Sequence, residues 1–106
     1  MICREISSWV SQATADNSAA TATKSASGKN SHFITGVAGS FSAAAIKTLI
    51  LKEGSTELAR FHVHNNFSMT FASPIKLQPG TVANLVLAAS GTGGVDGTAV
   101  LIGYTS

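Results

Sequence analysis

From Ser31 to Thr105 the chain is a succession of short runs rich in β-branched and aromatic residues, each closed off by glycine, proline or asparagine. Residues 46–52 lead into Glu53-Gly54-Ser55-Thr56, and a second run over 57–64 follows at once. Further runs lie at 67–71, 82–89 and 98–104. Strands of this length and spacing, punctuated by turn residues, predict an all-β fold of short antiparallel strands. A count of about seven to nine strands suits a jelly-roll-like antiparallel β-sandwich.

Local signals refine that reading. Residues 32–41 predict a strand in which Gly36 and Gly39 mark a bulge or a close backbone approach. Glu53-Gly54-Ser55-Thr56 reads as a tight hairpin connection, with Gly54 free to take positive φ. The return strand alternates: Leu58, Arg60, His62 and His64 share one face, and Ala59, Phe61 and Val63 the other. Phe61 and Val63 are therefore expected inside and the two histidines outside. Asn65-Asn66 breaks the run, after which Phe67, Met69 and Phe71 share a face. Ser73-Pro74 and Gln78-Pro79-Gly80-Thr81 read as turns, and residues 91–97 as a glycine-rich loop. Phe33, Phe61, Phe67 and Phe71 are the expected aromatic core.

The segment from Ser11 to Ser31 is different, being dominated by Ala, Ser and Thr with no large apolar residue. Its Ser, Thr and Asn favour turns and extended chain over helix. Residues 1–30 are accordingly expected to form an extended N-terminal arm with short edge strands that pair only in the assembled state. Residues 31–106 would then be the sandwich body, able to fold without the arm. Ile6, Trp9 and Val10 are the expected anchoring, interface-forming end, with a core role for Trp9 as the competing reading.

Composition narrows the function classes. Charged residues make up 11% of the chain, against roughly 25% in an average soluble domain. A surface built from Ser, Thr, Asn and Gly with a net charge of +2 is weakly protected against self-association, which argues for an oligomer. Arg4, Lys24, Lys29, Lys47, Lys52, Arg60 and Lys76 are scattered and form no basic stripe, so no nucleic-acid partner is expected. No apolar run approaches the ~20 residues that cross a bilayer, so no membrane partner is expected either. Cys3 is the only cysteine, and the first residues lack a secretory pattern, which points to synthesis in the cytoplasm.

The chemistry-bearing residues are sparse. His62 and His64, at i and i+2 of a strand, are a workable first pair of metal ligands, but His32 is the only other histidine. A hydrogen-bonding surface or interface pair is the plainer reading, and no cofactor or metal is expected. No serine lies in Gly-x-Ser-x-Gly, and Gly91-Thr92-Gly93-Gly94 lacks the Lys-Ser/Thr that completes a phosphate loop. Asp96 reads as a turn cap, and Glu53 and Glu57 as solvated residues of one hairpin. Catalysis is not expected.

Several stretches together resemble small β-sandwich virion proteins of tailed bacteriophages. They are His32-Phe33-Ile34-Thr35-Gly36-Val37, the strand and turn over 47–54, Phe61-His62-Val63-His64, and the ending over 85–89, 91–97 and 100–104. The resemblance implies a structural role on the virion, as a capsid decoration or cement subunit on the capsid surface. It implies the major capsid protein as partner, a homotrimer as the working form, and no catalytic residue. A tail or fibre component that grips receptors or glycans through residues 65–66 and 91–97 is the alternative.

Overall fold

The computed structural model describes residues 7–43 and 45–106, and every regular element among them is a strand. In chain order these are β1 (Ser7–Asp16), β2 (Ala20–Lys24), β3 (His32–Phe41), β4 (Lys47–Glu53), β5 (Thr56–Val63), β6 (Asn66–Lys76), β7 (Ala83–Leu87) and β8 (Asp96–Thr105). They make two four-stranded antiparallel sheets, ordered β1-β8-β3-β6 and β2-β7-β4-β5. Only β4 and β5 are both consecutive and paired. The other connections cross between sheets, which is the wiring of an eight-stranded jelly roll.

Alternation along each strand decides what lies between the sheets. β7 buries Ala83, Leu85 and Leu87, and β4 buries Leu49 and Leu51. Ile34, Val37, Phe41, Ala99 and Leu101 face them from the other sheet. The core is thus aliphatic, with Phe41 its one buried aromatic residue. Of the four phenylalanines expected there, Phe61, Phe67 and Phe71 are half-buried at its margin. Phe33 alternates out of the core altogether and stacks on Tyr104, with ring centroids 4.8 Å apart, on the outer face of its sheet. The physical reason is register: Phe33 lies between His32 and Ile34, which are both buried.

The glycine signals in β3 mark real irregularities. Ile34 pairs with Gly103 and Gly36 with Ile102, so Thr35 is an extra, bulged residue against β8. On the β6 side, ladder pairing jumps from Ile75 to Thr70, leaving residues 71–74 unmatched. Pro74 sits in that gap on an edge strand, a position where its missing N–H costs no ladder bond. At Gly39 a Cβ would lie 2.7 Å from Phe67 Cζ and closer still to the Thr98 carbonyl oxygen. The β4–β5 connection is the expected hairpin: Glu53 pairs with Thr56, and Gly54 takes φ of +59°.

The N-terminal segment departs from expectation. Residues 7–24 do not wait for a neighbouring subunit to pair. β1 pairs along its whole length with β8, Ser7 opposite Thr105 and Asp16 opposite Asp96, and β2 pairs with β7. Ala20 and Ala22 are fully part of the core. On this side β1 and β2 lie against one another, and apart from Trp9 their inward positions carry only Ser and Ala.

Candidate interaction surface

The two long sides of the sandwich are built differently. On one side the edge strands β1 and β2 are stitched together. The Ser11 hydroxyl donates to the Thr23 carbonyl (2.7 Å), and the Lys24 ammonium sits 5.5 Å from the centre of the Trp9 ring. On the other side the edge strands β5 and β6 each have one sheet neighbour and one free edge. Here the inward positions carry Phe61, Phe67, Met69 and Phe71, all half-buried, with the Phe61 and Phe71 rings 6.4 Å apart. An open cleft of about 420 Å³ lies at this corner, lined by residues 61–64 and 66–69. Apart from Trp9 the inward residues of the first side are small, and those of the second are large.

His62, on β5, and His64, just past its end, line this cleft and are exposed, as the alternation over 57–64 predicts. Among the described residues no group of three or more His, Cys, Asp and Glu side chains is placed to hold a metal ion. His32 is elsewhere and buried, its two ring nitrogens each 2.7 Å from a partner, Thr105 Oγ1 and the Ser25 carbonyl oxygen. A carbonyl only accepts, so Nε2 carries the proton and Nδ1 accepts from the Thr105 hydroxyl. Trp9 Nε1–H donates to the same Thr105 oxygen at 2.9 Å.

The proposed anchor residues therefore fall in different settings. Ile6 lies outside the described residues. Trp9 is half-buried, edge-on to the His32 ring at 5.6 Å, and its indole fills space that any side chain at Gly103 would need. Val10 is 65% exposed, opposite the exposed Ile102 on the outer face of the β1-β8-β3-β6 sheet. That face also carries the Phe33–Tyr104 stack, with the Lys76 ammonium 5.9 Å from the Phe33 ring.

The loops suggested by sequence as gripping elements are braced from within. The Asn65 side chain accepts from the Ala45 N–H and its carbonyl from the Phe41 N–H. In residues 91–97 the buried Ser90 hydroxyl reaches the Thr92 and Val95 carbonyls, and Asp16 accepts from the Gly94 N–H. Asp16, in place of Asp96, is thus the carboxylate that fixes this loop. Glu53 likewise is not free in solvent, since it accepts from the Gln78 N–H. Glu57 does lie in solvent, where its hydrogen bond from Arg60 holds its carboxyl below the usual carboxylate range.

No protein-family model matches the chain, and no curated protein matches it in sequence. Among solved structures it is similar to CsCBM6-3 from Clostridium stercorarium in complex with cellobiose, with a TM-score of 0.46 and 16% identity, over 83% of this chain and 69% of that one. It is also similar to the carbohydrate-binding module CBM36 in complex with calcium and xylotriose, with a TM-score of 0.43 and 14% identity, over 90% and 76%. A third is the virus-like particle of extra small virus of the giant freshwater prawn Macrobrachium rosenbergii, with a TM-score of 0.38 and 14% identity, over 99% and 82%. At these scores and identities none of the three carries a role across. The strand order itself defines the class: an all-β, jelly-roll-type antiparallel sandwich.

Proposed function

We propose that this chain is a structural subunit of a virion, of the capsid decoration or cement type found in tailed phages. It acts by adhesion and makes or breaks no covalent bond. As a homotrimer it bridges major capsid subunits, so that several modest contacts act together. The observation that carries this reading is the open β5–β6 side, where four large apolar residues stand half-exposed between two unpaired strand edges. A surface so poor in charge is suited to lying against other subunits. That the other subunits belong to a phage particle is our reading of the stretches quoted under the sequence. The full chain is expected to co-sediment with heads assembled from the major capsid protein and to raise their resistance to heat. Heads that neither retain it nor gain stability overturn the proposal.

A second reading, a tail or fibre component that binds receptors or glycans, is favoured by one feature only. The Phe33–Tyr104 pair lies on an outer sheet face beside Lys76, where a sugar ring has apolar surface to lean on. It predicts sugar or cell binding by the isolated chain that Tyr104→Ala removes.

A further inference from the structure

We infer that His32 is a pH-sensitive latch: its neutral ring clamps β1 to the sandwich, and a proton taken up by that ring loosens the strand. The inference goes beyond the adhesive role and stands without it. Three observations carry it. First, the site uses the neutral ring in full. His32 is 1% exposed, its Nε2–H donates to the Ser25 carbonyl, and its Nδ1 accepts from the Thr105 hydroxyl, both at 2.7 Å. The same hydroxyl oxygen accepts from the Trp9 Nε1–H at 2.9 Å. A second ring proton goes on Nδ1 and turns an acceptor into a donor. It then faces an oxygen that already receives the indole N–H, and the Thr105 hydrogen loses its acceptor.

Second, the surroundings offer an imidazolium no counter-charge. Against the ring lie Trp9 of β1, edge-on at 5.6 Å, Thr105 of β8 and Ser25. The charged side chains where these elements meet are cations. Lys24 ends β2, 5.5 Å from the Trp9 ring, Lys29 lies in the turn that follows, and Lys76 ends β6 beside Phe33. Tyr104 is stacked on Phe33 on the outer face of the sheet. Glu53, in the β4–β5 turn, accepts from the Gln78 N–H, and Ser106 pairs through its backbone with Ser31. Among the described residues no acid forms an ion pair with His32. Burying an unpaired charge is costly, so the protonated ring favours a state that returns it to water. That released state binds one proton more than the clamped one, so acid shifts the balance toward release and neutral pH restores the clamp. Third, the clamp acts on the anchor of β1. Besides Trp9 the inward positions of this edge strand carry Ser11, Ala13 and Ala15, so the indole is its one large inward side chain. Once β1 loosens, the edge of β8 lies open to another strand.

The test follows Trp9, the chain's only tryptophan, by acrylamide quenching of its fluorescence as pH is lowered, with circular dichroism recorded alongside. The double variant His62→Gln/His64→Gln removes the two exposed histidines and leaves His32 as the only one. In the wild-type chain and in this variant the quenching constant is expected to rise at least about twofold between about pH 7.5 and about pH 5.5, where an imidazole takes up its proton. The β-type spectrum is expected to persist through that step, and return to neutral pH to reverse it. His32→Gln, uncharged at every pH, is expected to show no step. Should His32→Gln fail to fold, the double variant decides alone. A flat quenching curve in the double variant overturns the inference, as does the same step in a folded His32→Gln variant. A β spectrum that collapses together with the step also overturns it, because the latch releases one strand and not the fold.

Discussion

The Thr105 hydroxyl ties together two side chains that are far from it in sequence. It accepts from the Trp9 indole and donates to His32 Nδ1, while the opposite ring nitrogen donates to the Ser25 carbonyl. Every polar atom in this buried cluster is used once the tautomer is fixed. Thr105→Val keeps the shape and removes the hydroxyl, stranding the His32 nitrogen. The expected cost is about 1–3 kcal/mol in urea unfolding, with Thr105→Ser restoring most of it. Gly39→Ala is expected to cost about 1–3 kcal/mol or more by the same measurement, because the new methyl meets Phe67 and a β8 carbonyl that cannot yield. Glu57 gives a pH dependence with a definite sign. Arg60 depresses its folded pKa, so the pair's stabilisation is present above the unfolded carboxylate pKa and fades as pH falls through the folded one. Glu57 is fully exposed, so the effect is small. Glu57→Gln is expected to lower the melting temperature slightly at neutral pH and not at all in strong acid.

Among the elements, β1 and β2 were the hardest to read. Their inward positions are Trp9, Ser11, Ala13 and Ala15, then Ala20 and Ala22, set against outward Gln12, Thr14, Thr21 and Thr23. That is strict two-residue alternation, but with alanine as the apolar partner, so a search for large hydrophobes passes over it. The signal was present in Ala20-Thr21-Ala22-Thr23, and Gly103 opposite Trp9 is its counterpart on β8. By contrast β5 is legible because Ala59, Phe61 and Val63 alternate with Arg60 and His62, β4 and β7 because their Leu, Ile and Val form short apolar runs, and the β4–β5 hairpin because of Gly54. Deleting residues 1–31, a loss the body was expected to survive, now has a different expected outcome. It strips an edge strand from each sheet and uncovers Leu85, Leu87, Ala99 and Leu101. The shortened chain is expected to lose its cooperative thermal transition. A sharp transition near the full-length temperature counts against the edge-strand account.

Among the described residues, pairs remote in sequence close the sandwich: Ser7 pairs with Thr105, and Ser31 and Ser106 exchange both backbone hydrogen bonds. Such long-range pairing predicts slow folding for a chain of this length, in the millisecond-to-second range typical of β-sandwiches. Stopped-flow refolding on the Trp9 signal checks it. The open β5–β6 side gives a second whole-molecule prediction. Association through a corner whose lining holds no Asp, Glu, Lys or Arg should vary less between low and high salt than one driven by ion pairs. Molar mass measured across a salt series distinguishes the two.

Sequence alone determined the layering, because alternation, turn chemistry and strand length are local and each points to short antiparallel strands. It determined the outward placing of His62 on β5 and of His64 just beyond it, and where β3 would be irregular. The tertiary structure decided what distance in sequence conceals. It paired β1 with β8, spent Trp9 on Thr105 and His32, turned Phe33 outward and left Phe61, Phe67 and Met69 at an open edge. Whether a half-apolar strand lies inside or at a rim depends on which strands flank it. That is settled by sheet order, and no stretch of residues carries the order within itself.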